Sequence, residues 1–407
     1  MLRNLCNPTF EFLHKSHHTQ KHRRFAEEKT VISMGAVNLL NAMEVSDEVL
    51  NGCDIEVVRS SLAVDHTLPL PEMKPQLVEL CKDLFKQWSN LDESHFSTEK
   101  VSGGITNLLL KVSVKEENGN WVHVTVRLYG PNTEYVIDRE RELQALHHLS
   151  AAGFGPKLLG VFENGMVQSF IHARTLETKD MRNPKLAGEI AKQLNSFHQV
   201  KVPGSKEPQL WNDILKFYKK ASKLTFDDCE KQKKYAQISF KEVEAEILEL
   251  KELTGHLKSP VVFAHNDLLS GNLMYNDNEE KLYFIDFEYG SYSYRGFDIG
   301  NHFNEYAGYE CDYTLYPNKD EQYHFFKHYL NPEKPNEVSD NDVETLYVET
   351  SLYMLASHLY WALWALIQAK MSPIEFDYLG YFFKRYNEYK RQKDVCFSLA
   401  KSYNYKS

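Results

Sequence analysis

The sequence HNDLLSGN at residues 265–272 is followed, across a predicted β-hairpin, by IDFE at residues 285–288. Asp267 and Asn272 have four residues between them in this loop, and the hairpin returns Asp286 to the same place. Phosphoryl transfer from ATP requires a carboxylate to accept the hydroxyl proton of the acceptor and oxygen ligands to hold Mg²⁺. The combined pattern supplies both, which predicts a phosphoryl-transfer site. The alternative is that Asp267 and Asn272 only cap the loop backbone.

Periodicity on either side of this stretch predicts two lobes. Strands are predicted before it at 107–114, 121–129, 157–162 and 166–171, and helices at 72–88 and 133–150. After residue 172, helical spacing dominates and covers most of 320–393, apart from the hairpin strands at 273–275 and 282–285. We therefore predict an α+β, two-lobed fold, with a small β-rich lobe over 71–171 and a large, mainly helical lobe over 172–407. Residues 1–70 lack sustained periodicity and are predicted to be a flexible N-terminal extension.

Composition excludes several classes of protein. The 407-residue chain is 42% hydrophobic and 13% aromatic, so it has enough apolar material for a packed core and is not disordered throughout. Its formal net charge of −10 makes it a poor candidate for binding nucleic acid. Only four of its 24 Tyr precede residue 270. This bias fits either a Tyr-rich core or an aromatic site for a cation.

Six scattered cysteines and the lack of an apolar leader predict a cytoplasmic protein with free thiols. Residues 350–369 contain no Asp, Glu, Lys or Arg and are long enough to cross a bilayer. However, this segment holds Ser351, Ser357, His358 and Gln368. It is therefore predicted to be a buried helix, with no transmembrane segment in the chain.

The wider motif set resembles the choline/ethanolamine kinase family, which has a protein-kinase-like fold. The stretches that carry this resemblance are SGGITN (102–107), VRLYG (126–130), FIDFEYGSYSYRGFDIGNHFNEYAGY (284–309), WALWALIQAK (361–370) and IEFDYLGY (374–381). Leu269 stands where choline kinases usually carry Gln, and Tyr306 stands where they tend to carry Trp. Both features favour the ethanolamine branch of the family. The resemblance thus implies ATP-dependent phosphorylation of ethanolamine, the first step of the CDP-ethanolamine route to phosphatidylethanolamine.

For the nucleotide side, the resemblance implies roles for residues from both lobes. Arg127 would contact the ATP phosphates, with Glu142 as its partner, although an exposed strand cation and a solvated helix residue are the alternatives. Mg²⁺ would be held by Asn272 and Asp286, with Glu288 as a further ligand or a group that holds the amine. The other predicted nucleotide contacts are the loop over the phosphates and the hinge at the adenine: Ser102, Gly103, Gly104, Thr106, Asn107, Ser169 and Ile171.

For the amine side, the resemblance implies a carboxylate and an aromatic cage. Asp267 would accept the hydroxyl proton, and Glu305 would lie near the ammonium group. Asp298 would anchor the loop backbone, and His265 would brace the loop. The predicted cage comprises Tyr289, Trp361, Trp364, Phe376 and Tyr381. Without the resemblance, the two Trp residues, three apart on a helix, would more often be core.

Other functions remain open at this stage. The nearest rival is a choline kinase, or an enzyme that accepts both amines, although Leu269 and Tyr306 argue against it. A protein kinase is disfavoured because only twelve positions separate Asp286 from Asp298 and no Ala-Pro-Glu follows. An aminoglycoside kinase shares the Asp-x4-Asn loop but not the Trp361/Trp364 helix. An inactive amine-binding module would be expected to lack one of Asp267, Asn272 and Asp286. Some members of the family form dimers, so a homodimer is also open.

Overall fold

The computed structural model describes residues 57–101 and 107–404. Residues before 57, which make up most of the predicted extension, and Ser102, Gly103, Gly104 and Thr106 of the predicted phosphate loop lie outside these ranges. The described strands are β1 (Val58–Arg59), β2 (Phe96–Lys100), β3 (Asn107–Lys115), β4 (Trp121–Tyr129), β5 (Leu158–Phe162), β6 (Gly165–Ser169), β7 (Arg174–Thr175), β8 (Val261–Ala264), β9 (Leu273–Asn276), β10 (Lys281–Phe284) and β11 (Ser291–Tyr294).

Eleven α-helices are present in the described ranges. They are α1 (Leu70–Leu84), α2 (Arg139–Ala151), α3 (Thr178–Met181), α4 (Pro184–His198), α5 (Leu210–Ala221), α6 (Cys229–Tyr235), α7 (Phe240–Gly255), α8 (Arg295–Asn304), α9 (Lys319–Leu330), α10 (Asp340–Met371) and α11 (Tyr378–Asn404). Only α1 and α2 precede residue 172, so the predicted division into a β-rich lobe and a helical lobe is confirmed.

The small lobe is a six-stranded sheet in the order β1-β5-β6-β4-β3-β2. Alternation along β4 places Val124, Val126 and Leu128 in a core shared with α1. Because successive side chains point to opposite faces of a strand, Arg127 lies on the other face. The same alternation that predicted β4 thus fixes the direction in which the Arg127 side chain points.

Two helices in the small lobe have boundaries that differ from those predicted from hydrophobic periodicity. The helix predicted at 133–150 is a 3₁₀ turn at Thr133–Tyr135 followed by α2, which begins after Asp138. The Asp138 carboxylate accepts a hydrogen bond from the backbone N–H of Arg141 and so caps the helix at that point. Glu142 therefore lies in the first turn of α2. The predicted helix at 72–88 ends at Leu84, where Phe85 is extended, and a 3₁₀ turn continues to Trp88.

Part of the segment assigned to the extension lies against the small lobe. Val58 and Arg59 pair in parallel with Gly160 and Val161 of β5. Val64 is buried in the core beside α1. A two-residue strand has no periodicity to detect, which is why the sequence pattern does not mark it.

The large lobe is built around α10, whose middle is buried on all sides. The apolar residues from Leu352 to Ile367 belong to the largest core cluster together with parts of α5, α7 and α11. Among the described residues, no helix is sufficiently long and apolar to cross a membrane. The uncharged stretch at 350–369 is thus a buried helix, as predicted. Four of the cysteines, Cys81, Cys229, Cys311 and Cys396, are described and are free.

Candidate active site

A buried aspartate fixes the backbone of the 265–272 loop. One carboxylate oxygen of Asp298 accepts a hydrogen bond from the His265 N–H at 2.7 Å and the other accepts from the Asn266 N–H at 2.8 Å. His198 Nε2 lies 2.9 Å from the same Asp298 carboxylate. Burial alone would raise the pKa of Asp298, but these contacts outweigh it and lower the pKa. Asp298 therefore anchors the loop as an ionised group.

The loop is also tied to the end of the hairpin. His265 Nε2 lies 3.0 Å from the carbonyl oxygen of Ile285, and its ring packs against Phe284 and Phe287. Burial lowers the pKa of His265, so the ring is neutral near pH 7 and donates from Nε2. Asp286 follows at once with φ of +63°, a left-handed conformation that few residues adopt. The contact thus holds the two halves of the predicted site in register.

Asp267 and Asn272 meet at the floor of the cleft. The Asn272 amide nitrogen donates to the Asp267 backbone oxygen at 2.8 Å and to its carboxylate at 3.0 Å. Because the nitrogen is engaged in this way, the amide oxygen of Asn272 is the atom available to a metal. Burial, with additional repulsion from Glu305, Asp286 and Glu288, raises the pKa of Asp267 well above its ordinary value. A raised pKa suits a group that accepts a proton.

Arg127 joins the two lobes. Its guanidinium lies 3.3 Å from Glu142 of α2 and 2.7 Å from both Asp286 and Glu288 of the large lobe. Arg127 is buried, so the alternative of an exposed strand cation is wrong. The contact also identifies Glu142, and not the neighbouring Glu140, as its helix partner. Burial would lower the pKa of Arg127, but the three carboxylates raise it, so its charge is permanent.

The sequence analysis missed a second buried cation in this cluster. Arg139 donates to Glu142 at 2.6 Å and lies 3.5 Å from Glu288. It also donates to the Asn107 side chain at 3.2 Å and stacks on the Tyr129 ring. The only available signal was its position three residues before Glu142 on a helix, where side chains are neighbours.

The contacts within this cluster indicate which of its oxygen atoms are available to a metal. Carboxylate oxygens of Glu142, Asp286 and Glu288 lie within 4.8 Å of one another. However, the Arg127 guanidinium contacts all three and already offsets their charge. Glu288 is further engaged by the Asn107 amide at 2.9 Å. Asp286 and Asn272 are thus the oxygen donors that best fit Mg²⁺, and Glu288 is better placed to position Arg127.

The predicted aromatic cage lies at the other end of the cleft, with its rings fixed by hydrogen bonds. Trp361 Nε1 donates to Asn301 at 2.7 Å, and Trp364 Nε1 donates to the Tyr289 hydroxyl at 2.8 Å. Tyr289 and Trp361 meet edge to face with ring centroids 5.1 Å apart. These contacts leave ring faces available to a small cation.

Glu305 shares this end of the cleft with a buried arginine that the sequence analysis also missed. Arg385 Nη1 donates to Glu305 Oε1 at 2.9 Å and to the Tyr381 hydroxyl at 3.1 Å. The signal was its place four residues after Tyr381 on α11, one helical turn away. Glu305 is thus paired within the protein and is not an isolated carboxylate.

One cavity of about 680 Å³ connects the two ends. It is lined by most of the described residues that the sequence analysis assigned to a site: Arg127, Ser169, Ile171, Asp267, Asn272, Asp286, Glu288, Tyr289, Glu305, Trp361, Trp364 and Tyr381. Asn107, Glu142 and Phe376 do not line it. Phe376 instead packs behind Tyr381 at a ring distance of 5.7 Å. Leu269, Tyr309 and Ile374 are among the other residues that line it.

Comparisons with known proteins agree with this arrangement. Residues 98–390 match the choline/ethanolamine kinase family. The chain is 67% identical to a probable ethanolamine kinase of Arabidopsis thaliana, over 91% of this chain and 99% of that protein. It is 37% identical to probable ethanolamine kinase A of Dictyostelium discoideum, over 82% of this chain and 96% of that protein. The solved structure of a Plasmodium vivax ethanolamine kinase matches with a TM-score of 0.70 and 29% identity, over 81% of this chain and 92% of that one.

This chain belongs to the choline/ethanolamine kinase family. It is a phosphotransferase, and both the resemblance seen in its motifs and the predicted protein-kinase-like fold are confirmed. Members of a kinase family use ATP, and this chain is therefore expected to bind a nucleotide.

Proposed function

We propose that the protein phosphorylates ethanolamine, using ATP, to give phosphoethanolamine and ADP. The observation that carries the proposal is the position of Asp267, which lines one cavity with both the Asp286 end and the Glu305 end. An acceptor held at the aromatic end can place its hydroxyl at Asp267 and towards the γ-phosphate. The names of the relatives in Arabidopsis and Dictyostelium support ethanolamine as the acceptor.

The aromatic end suits a small ammonium ion. The faces of Trp361, Trp364 and Tyr289 attract a cation, and Glu305 supplies the negative charge. Leu269 lines the cavity near Asp267 and adds no polar group there. The resemblance of Leu269 and Tyr306 to the ethanolamine branch is what favours ethanolamine over choline.

The reaction follows from the placement of the groups. Asp267 orients the acceptor hydroxyl and accepts its proton as the oxygen attacks the γ-phosphorus in line with the departing ADP oxygen. Arg127 stabilises the charge that spreads over the phosphate oxygens. Mg²⁺, held by Asn272 and Asp286, would neutralise the negative charge of the phosphates.

Steady-state kinetics with purified full-length protein tests the proposal. The kcat/KM for ethanolamine is expected to exceed that for choline by at least about tenfold, equivalent to about 1.4 kcal/mol. Equal values would indicate a dual-specificity kinase, and a higher value for choline would identify a choline kinase. No turnover of either amine, with both still bound, would support the inactive amine-binding module.

A further inference from the structure

A fully buried cation lies directly behind the site that the proposed function assigns to another cation. The Arg385 side chain is 1% exposed and comes from the third turn of α11. Burying a charge is costly unless other groups satisfy it. An arginine so close to an ammonium site should therefore contribute more than packing. A role for Arg385 in selecting the amine rests on the proposed function.

The Arg385 guanidinium holds two side chains of the amine pocket at once. Nη1 donates to Glu305 at 2.9 Å and to the Tyr381 hydroxyl at 3.1 Å. Nη2 donates to the Ser357 hydroxyl at 2.9 Å. A planar guanidinium with several fixed donors can impose such geometry, whereas an ammonium on a flexible stem cannot.

The contacts continue from Ser357 to the remaining wall of the pocket. The Ser357 hydroxyl donates to Asn301 Oδ1 at 2.8 Å, and Trp361 Nε1 donates to the same oxygen at 2.7 Å. The Asn301 amide nitrogen donates to the backbone oxygen of Asn266, the residue before the proposed base, at 3.3 Å. One network thus connects the carboxylate, two rings and the catalytic loop.

This pairing changes how the pocket can recognise an amine. Arg385 engages Glu305 Oε1, which leaves Oε2 to face a ligand. It also offsets the Glu305 charge, so that net charge contributes less to amine binding and hydrogen-bond geometry contributes more. A primary ammonium ion has three N–H donors for a fixed carboxylate oxygen. A quaternary ammonium ion has none and depends on ring faces and charge alone.

We propose that Arg385 is a positioning residue that holds Glu305 and Tyr381 for recognition of a primary ammonium ion. In this way it sets the preference for ethanolamine over its N-methylated forms. It does not touch the reacting atoms. Its effect should thus appear in amine binding and selectivity, with little effect on the chemical step.

The test compares wild type with Arg385→Lys on ethanolamine, N-methylethanolamine, N,N-dimethylethanolamine and choline. Lysine keeps the positive charge at this buried position and so preserves the fold, but it lacks the planar set of donors of a guanidinium. The KM for ethanolamine is expected to rise about tenfold or more, the KM for choline to change less than about threefold, and kcat with ethanolamine to remain within about threefold. Amine binding can also be monitored by Trp fluorescence, without turnover. The loss of affinity on substitution should again be large for ethanolamine and small for choline.

Two further variants keep the proposal open to refutation. Arg391→Lys is the matched control, because Arg391 lies on the same helix, is largely exposed and, within the described ranges, forms its ion pair with Glu388. It should behave as wild type. If Arg385→Lys does not fold, the double variant Glu305→Gln with Arg385→Met removes both charges, and its KM should no longer favour ethanolamine. An unchanged ratio of the KM for ethanolamine to the KM for choline in a folded Arg385 variant would overturn the inference. A wild-type preference for choline would contradict the proposed function instead.

Discussion

At the scale of single residues, the ionisation of Asp267 links activity to stability. Its raised pKa, caused by burial and by Glu305, means that the folded chain binds this proton more tightly than the unfolded chain does. Stability is therefore lost as pH rises from the unfolded value of about 3.9 through the folded value, and the loss is complete above it. Ionisation of the Asp267 carboxylate therefore destabilises the ligand-free protein. The same ionised form is the one that can accept a proton from the acceptor.

Asp267→Asn should separate these two effects. We expect kcat to fall by about 10²- to 10⁴-fold, because the base is lost. The variant should still bind ATP. The melting temperature at pH 7 should equal or exceed that of wild type, since a repelled buried charge has been removed. This gain should shrink as pH falls towards about 4, where the folded-state aspartate is protonated and the unfolded-state aspartate is about half protonated. Turnover and thermal melts at both pH values measure this.

Two results would contradict the argument. Wild-type turnover in Asp267→Asn would exclude this residue as the proton acceptor. A melting temperature clearly below wild type at pH 7 would show that the ionised carboxylate stabilises the fold.

The residues that sequence analysis could and could not identify differ in a simple physical way. Asp267, Asn272 and Asp286 were predicted because chain-local spacing brings them together around one hairpin. Arg139 and Arg385 were not, because the partners that place them beside the cleft, Glu288 and Glu305, lie far away in the chain. Glu305, for example, is 80 positions from Arg385. Nothing in the spacing marks one arginine among 47 Lys and Arg as buried.

At the scale of elements, the backbones of α8 and α10 approach closely at Gly300. A Cβ at this position would lie 2.8 Å from the Met354 backbone nitrogen and 3.0 Å from the Thr350 carbonyl oxygen. Both atoms belong to α10, and a backbone in a helix cannot shift independently. The helix α8 also carries Asp298, which anchors the catalytic loop, and ends directly before Glu305.

Gly300→Ala should therefore lower both stability and activity. We expect a loss of about 1–3 kcal/mol, because the added methyl overpacks a rigid contact, and a lower kcat because the loop anchor moves. Thermal or urea unfolding and steady-state kinetics measure these effects. Gly255→Ala is the control, since a Cβ there has nothing within 4 Å, and its stability should stay within about 0.5 kcal/mol of wild type. A Gly300 variant as stable as its control would show that the two helices can separate without cost.

Elements with strong periodicity were predictable, and elements defined by tertiary contacts were not. The strand β4 was placed at its observed bounds because alternation over nine residues is a local property. The strand β1 is two residues long and exists only because β5 lies beside it. The start of α2 depends on the Asp138 cap, a polar signal that apolar spacing does not contain.

At the scale of the whole molecule, Arg127 contacts the large lobe through two carboxylates and Arg139 through one. Arg127 extends from the small lobe to Asp286 and Glu288 in the large lobe, and Glu142 holds it from behind. Without this guanidinium, Glu142, Asp286 and Glu288 would face one another across the cleft, and among the described residues only Arg139 would offset their charge. Their repulsion would both open the lobes and weaken the phosphate site. Lobe alignment and nucleotide binding should therefore fail together.

Arg127→Met is expected to lower the melting temperature by about 5 °C or more, because it removes one of the two guanidinium groups that offset the charge of the buried Glu142 and Glu288. The KM for ATP should rise more than the KM for ethanolamine, since the amine end does not contact Arg127. Arg127→Lys should recover part of the stability through its charge but little of the ATP affinity, which needs the fork. Lys74→Met is the control, because Lys74 pairs with an exposed Glu93 at 3.8 Å on the same lobe and such surface pairs contribute little. If Arg127→Met raised both KM values equally at unchanged stability, the cation would not be what aligns the lobes.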